Sequence, residues 1–214
     1  MQRQLVSLTK PGNILIISSP SGGGKTSICR KLLSPARKRQ GWTFSTSYTT
    51  REPRRGERNG REYVFVTDRQ FDVLVAKGFF AEYFKVHLYK YGTPRKPIEQ
   101  VRRRGGVMLL DVDVQGASRL KKEFSDAISI FVLPPSQAVL RKRLRRRGTE
   151  TREQLKVRLD NALREMQTFG SYKFDYVVVN KELSKAVKQV LCIVEAHQCR
   201  FDRCDPEQIR KITG

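Results

Sequence analysis

Two short stretches bring together residue types suited to holding a polyphosphate. The first, "SSPSGGGKTS" at 18–27, closes on Gly22-Gly23-Gly24-Lys25-Thr26 and nearly completes the pattern G-x-x-x-x-G-K-[ST]. A glycine-rich turn can aim its backbone N–H groups at phosphate oxygens, a following lysine reaches the β- and γ-phosphates, and the Thr26 hydroxyl suits Mg2+. The whole loop, from Ser19, Pro20 and Ser21 to Ser27, is therefore expected to contact a nucleoside triphosphate. Ser19 stands where the pattern has its first glycine. Pro20 restricts Ser19 to extended angles that any L-residue adopts, so the substitution is expected to be tolerated. The second stretch, "VMLLDVDVQG", carries Asp111 and Asp113. Two residues apart, they are expected on one side of a strand, with Asp111 placed to hold the water shell of Mg2+. The competing reading of such a carboxylate is a salt bridge to a core Arg, because burying it alone is costly.

The loop has meaning only between a strand and a helix. Unbroken apolar runs at Asn13–Ser18, Val107–Asp111, Ile128–Leu133 and 176–180 predict strands buried on both faces. Helical patterns at 25–38, 116–123, 136–146, 151–168 and 183–201 lie between and after them. The alternation predicts an α/β fold, a parallel sheet covered by helices on both sides, with 1–42, 98–136 and 170–214 as its core. Residues 43–97 interrupt it with a hydroxyl-rich stretch, turns at Arg55-Gly56 and Asn59-Gly60, a helical piece near 71–77 and an aromatic run. They are expected to form a small, partly antiparallel insertion, and the basic helical 137–169 a second excursion.

In this order the motifs resemble the guanylate kinase family over about residues 12–200. "STSYTTREPRRGERNGREY" is similar to that family's GMP-phosphate segment, "FAEYFKVHLYKYGTP" to its glutamate followed by Tyr-Gly-Thr/Ser, and "LLDVDVQG" to its metal and guanine aspartates. "RRRGTETREQLKVRL" is similar to its lid, and "DYVVVN" to its last strand beside the ATP base. The resemblance implies a three-layer P-loop core, a mixed α/β GMP-binding insertion and a helical lid. It implies γ-phosphoryl transfer from Mg·ATP to GMP, with dGMP acceptance open. Arg51 and Arg54, with the Tyr63 and Tyr91 hydroxyls, would clamp the GMP dianion. Glu82 and Asp113 would accept from the guanine N1–H and N2–H2 groups, while Ser47 and Thr93 would donate to O6. Adenine would leave those carboxylates facing a lone pair, which is the basis for expecting GMP over AMP. Arg147 and Arg158 match the lid arginines that close on the transferring group, and Asn180 is a candidate for the ATP base or ribose. Lys25, Arg51, Asp111, Arg147 and Arg158 are thus the expected catalytic set. The chain departs from the family's usual lid at Arg152 and Gln154, and at Lys181, where an acidic residue is usual.

No general base is expected, since a phosphate monoester is largely dianionic at neutral pH with a second pKa of about 6. The two histidines, His87 and His197, fall outside the motifs. The 43 Lys and Arg against 21 Asp and Glu give a net charge of +22, which attracts polyanions in general. That motivates one rival reading, a nucleic-acid-binding ATPase, while the family resemblance leaves another, a non-catalytic guanylate-kinase-like binding module. Nucleic-acid contact is not expected to be primary, because no aromatic-basic RNA signature accompanies the charge. The apolar runs are too short to span a bilayer and the start lacks a signal-like apolar stretch, so a cytoplasmic protein is expected. The cysteine spacing at Cys192, Cys199 and Cys204 is wrong for structural zinc, and reduced thiols are expected.

Overall fold

A computed structural model describes residues 12–54, 56–86, 88–145, 152–204 and 206–213. Its central sheet has five parallel strands, β1 (Asn13–Ser18), β2 (Trp42–Phe44), β7 (Val107–Asp111), β8 (Ile128–Leu133) and β9 (Tyr176–Val179), in the order β2-β7-β1-β8-β9. Every residue of β1 is buried, and its alternating side chains feed two cores. Leu15 and Ile17 pack with Ile28 and Leu32 of α1 (Lys25–Leu32) and with Val190 and Val194 of α8 (Leu183–Gln198). Ile14 and Ile16 pack on the opposite face with Ile98 of α4 (Arg95–Arg103) and Leu120 of α5 (Val114–Glu123). The result is the three-layer arrangement expected from the sequence.

The remaining strands form a separate four-stranded sheet ordered β4-β3-β6-β5. These are β3 (Tyr48–Thr49), β4 (Val64–Phe65), β5 (Phe80–Val86) and β6 (Tyr89–Pro94). β3 and β4 run parallel, whereas β6 is antiparallel to both β3 and β5. Helix α3 (Asp68–Ala76) begins in a reciprocal capping box between Thr67 and Gln70. Helices α6 (Gln137–Arg145) and α7 (Arg152–Thr168) pack through Leu140, Leu144 and Ala162. A last short helix, α9, spans Pro206–Thr213.

Several local expectations change. Trp42–Phe44 is a core strand paired with Val107–Leu109, so the first two residues of the expected insertion 43–97 belong to the central sheet. The helix expected over 25–38 is two. Pro35 disfavours helical angles at Ser34, whose hydroxyl instead accepts from the Arg37 N–H to start α2 (Pro35–Arg39). The amphipathic α4, with Ile98 buried among basic residues, was not anticipated.

Candidate functional site

The 19–27 loop sits between β1 and α1 as its reading requires. Positive φ occurs at Gly22 and Gly24, at 85° and 101°, and not at Ser19, which explains why serine replaces the first glycine without backbone strain. At Gly24 a Cβ would also meet the Asn180 side-chain amide at 2.2 Å. No side chain caps α1, so its first N–H groups and the positive end of its dipole are left to an anion. Lys25 Nζ lies 2.6 Å from Asp111 Oδ1 and donates to the Val112 carbonyl at 2.8 Å. Burial works against the ammonium charge, but Asp111 beside it outweighs burial and holds its pKa above the usual lysine value. Asp111 is thus ion-paired, and its partner is the loop lysine where the competing reading had a core Arg. Thr26 is exposed one position further on.

The loop is braced from behind. Asn180 is buried and its side-chain amide donates to the Gly23 carbonyl at 3.0 Å. Arg143 of α6 donates to that same carbonyl at 3.2 Å and to the Asn180 carbonyl at 2.9 Å. Asn180 thus holds the loop, where contact with a base or ribose was expected. Arg143, which reads in sequence as one of several exposed helix cations, holds it too. Arg158 of α7 donates to the Ser21 hydroxyl at 2.9 Å. Arg147 lies outside the described residues. A cleft of about 610 Å³ opens beside this brace, lined by Gly22, Gly24, Ser27, Val139, Lys142, Arg143, Asn180 and Leu183.

On the other side of Lys25 lies a second cleft of about 260 Å³, shared between the core and the four-stranded sheet. Lys25, Asp111, Asp113 and Glu165 face Ser47, Tyr63, Glu82, Phe84 and Tyr91 across it. Asp113 arrives by a different route from the one the sequence suggested. β7 ends at Asp111, and Asp113 is the N-cap of α5, its Oδ1 accepting from the Gly116 N–H at 2.8 Å. Glu82 and Thr93 are directly opposite in the β5–β6 register, and the Thr93 hydroxyl donates to Glu82 Oε1 at 2.6 Å. Thr93 is fully buried, so its hydroxyl orients Glu82, where donation to a ligand O6 was expected. Glu82 is only 5% exposed. Its Oε2 is buried without a hydrogen-bond partner among the described residues. Burial, reinforced by the nearby Asp113 charge and only partly offset by Thr93, pushes its pKa from 4.5 to about 7.

At the far end Arg51 is buried and held bidentately by Glu57, at 3.1 and 2.9 Å. Its guanidinium lies 5.5 Å from the centre of the Tyr63 ring, which packs edge-on against the Tyr91 ring at 6.0 Å. Arg51, Tyr63 and Tyr91 are therefore brought together. Arg54 is exposed, and what fixes it is its backbone N–H, which donates to Glu57 at 2.8 Å. Sequence reasoning missed Glu57 and Glu165. Glu57 follows Arg54 by three positions, within a turn of it, and Glu165 follows Arg158 by seven, which is two helical turns on one face.

Comparison with known proteins agrees with this geometry. The model of a family described as guanylate kinase matches residues 11–197. The chain is 43% identical over 200 residues to the guanylate kinase of Syntrophotalea carbinolica, covering 94% of this chain and 93% of that one. It is 41% identical over 192 residues to the guanylate kinase of Thermotoga maritima, covering 90% of each. The crystal structure of guanylate kinase from Anaplasma phagocytophilum superposes with a TM-score of 0.75 at 32% identity, covering 94% of both chains.

Proposed function

The chain belongs to the guanylate kinase family, and from that premise we propose how its two clefts divide the work of moving the γ-phosphoryl group of ATP to GMP. The cleft beside Arg143 and Asn180 takes the nucleoside of ATP, with its phosphates cradled on the 19–27 loop. The cleft between Lys25 and Tyr91 takes GMP, its phosphate toward Arg51, Tyr63 and Tyr91 and its guanine toward Glu82, Asp113 and Ser47. Residues 45–97 act as the insertion and 137–169 as the lid on one domain. The observation that carries this reading is Glu82. A buried carboxylate with one oxygen oriented by Thr93 and the other unpartnered wants hydrogen-bond donors, and guanine N1–H and N2–H2 supply them.

Thr26 and Asp111 present a hydroxyl and a carboxylate oxygen, the hard donors that Mg2+ takes. Among the described residues no three His, Cys, Asp or Glu side chains gather around one point, so an ion here would complete its shell with phosphates and water. When bound, Mg2+ neutralises charge on the transferring phosphoryl group. The chain's own residues do the rest. Lys25 neutralises the donor phosphates, Arg51 fixes the acceptor, and Arg158 approaches from α7 as the lid closes and excludes water. The acceptor oxygen is already ionised and needs no base. The intact Lys25, Asp111 and Arg158 argue against a non-catalytic binding module. The pairing of Glu82 with Thr93 beside Asp113 is a small-molecule recognition feature that a nucleic-acid-binding ATPase would not need. Among the described residues no helix is long and apolar enough to cross a membrane, which fits the proposed cytoplasmic site of action.

Glu82→Gln tests the guanine assignment. Because folding raises the Glu82 pKa, the ionised form destabilises the native state: stability is lost as pH rises from about 4.5 to about 7. The penalty above pH 7 is about 3 kcal/mol. The glutamine variant is expected to melt higher than the parent at pH 8, with little difference at pH 4.5. Calorimetric GMP affinity should fall at least about tenfold while ATP affinity holds. Unchanged GMP affinity would remove Glu82 from the guanine site.

A further inference from the structure

Helix α5 brings a second polar group toward the guanine cleft besides its N-cap Asp113. Six residues further on, Arg119 reaches across to β5, and its guanidinium donates to the Tyr83 carbonyl. The same guanidinium lies 5.8 Å from the centre of the Phe84 ring. β5 is an edge strand of the four-stranded sheet, where carbonyls lack a ladder partner, and Arg119 supplies one from the core. The helix can come this near because residue 116 is glycine: a Cβ there would meet the Phe84 ring at 3.0 Å. Phe84 in turn stacks on Tyr91, with ring centres 6.0 Å apart. Tyr83 directly follows Glu82. The strand that bears one proposed guanine carboxylate is thus gripped from the helix whose N-cap is the other. Burial raises the pKa of both Glu82 and Asp113, and the Arg119 charge works against that rise at each.

We infer that Arg119 is a positioning residue for guanine recognition: it ties the insertion to the core beside the cleft and so fixes Glu82 relative to Asp113. The two carboxylates belong to separate parts of the chain, one in β5 and one at the start of α5, and both are to meet donors of one base. Displacing either spoils the pair, because hydrogen bonds weaken steeply with misalignment. A guanidinium suits the task, since its edge can donate to a carbonyl while its face lies on an aromatic ring. Without it, Asp113 still caps α5 and Glu82 still accepts from Thr93. Each carboxylate keeps its local setting, and only their relation to one another loosens. The inference rests on the reading of the 260 Å³ cleft as the GMP site, and the parent's preference for GMP over AMP checks that reading separately.

Three variants, Arg119→Ala, Arg119→Met and Arg119→Lys, test it in steady-state kinetics with GMP and with inosine monophosphate (IMP), which has the N1–H of guanine but not its N2 amino group. Arg119 is exposed, so all three should fold and melt close to the parent. Alanine and methionine both lose the donor. Each should raise the GMP KM about tenfold, the loss of one charge-assisted hydrogen bond. Saturated kcat should stay within about threefold and the ATP KM within about twofold. The preference for GMP over IMP in kcat/KM should shrink by about tenfold as well, because a base with one donor does not need two carboxylates in register. Lysine keeps a donor and the charge, and should stay within about threefold of the parent throughout. Should the alanine variant not fold, the contrast between methionine and lysine still decides. A parental GMP KM in methionine would overturn the inference, because packing on Phe84 would then suffice. So would lysine falling as far as alanine, or GMP and IMP losing equally, the mark of a site loosened as a whole.

Discussion

Lys25→Ala lowers kcat by about 10³-fold or more while leaving GMP binding close to the parent's. The lysine lines the 260 Å³ cleft directly after Gly24, which lines the other, 2.6 Å from Asp111 and at the start of a helix that no side chain caps. In the proposed arrangement, charge that builds on the donor phosphates during transfer has Lys25, fixed at the start of α1, as a cation beside it. The loss is accordingly confined to the transition state and appears in kcat. Folding should survive: Asp111 loses its ion pair, but its side chain is 21% exposed and water can reach it. Lys25→Met, which keeps the alkyl stem packed, should lose the same activity with a smaller shift in Tm. The check is kcat with saturating ATP and GMP, beside circular dichroism melting and GMP calorimetry. Retention of more than about a tenth of kcat would mean that the loop lysine is not the charge the reaction uses.

Arg51→Ala is the second large loss, and it falls on the other substrate. Glu57 holds the guanidinium bidentately and Tyr63 lies beneath it, so the fork is aimed before GMP arrives. Removing it takes away the proposed bidentate phosphate contact and leaves Glu57 with the Arg54 N–H but without its cation. kcat/KM for GMP should drop by about 10³-fold, with the ATP KM within threefold. Arg51→Lys should recover little, because a point charge cannot reproduce two parallel N–H donors. The substitution also costs stability of about 1–3 kcal/mol from the stranded Glu57 carboxylate. Steady-state kinetics with each substrate varied separates the two sides. A lysine variant near the parent would show that Arg51 supplies charge alone.

The sequence foretold the central sheet better than the site. β1, β7 and β8 were legible to their end residues because strands buried on both faces leave unbroken apolar runs. β2 was not. It has three residues with an exposed threonine in the middle, and its pairing with β7 is made by distant chain. The α1–α2 break was written in Ser34-Pro35, though helical periodicity on either side masked it. Within the site, Lys25, Arg51, Tyr63, Tyr91, Glu82, Asp111 and Asp113 come together from motifs at distant positions. What could not be read was how each polar group is already engaged. That Thr93 spends its hydroxyl on Glu82 depends on a cross-strand register. That Asn180 and Arg143 both hold the Gly23 carbonyl depends on loop geometry that residue types alone do not encode. Glu165 carried a signal, two turns from Arg158 on one helix face, and it needed the helix to be recognised as the loop's neighbour.

The proposed guanine reader is a pair of carboxylates: Glu82, with Oε2 unpartnered among the described residues, and Asp113, with one oxygen committed to capping α5. The most direct test is a coupled assay of ADP release with ATP as donor and GMP, AMP, CMP or UMP as acceptor at equal concentration. GMP should exceed each of the others in kcat/KM by at least about 10³-fold, as expected when buried polar groups would otherwise be left unpaired. AMP turned over as well as GMP would contradict the assignment of Glu82 and Asp113.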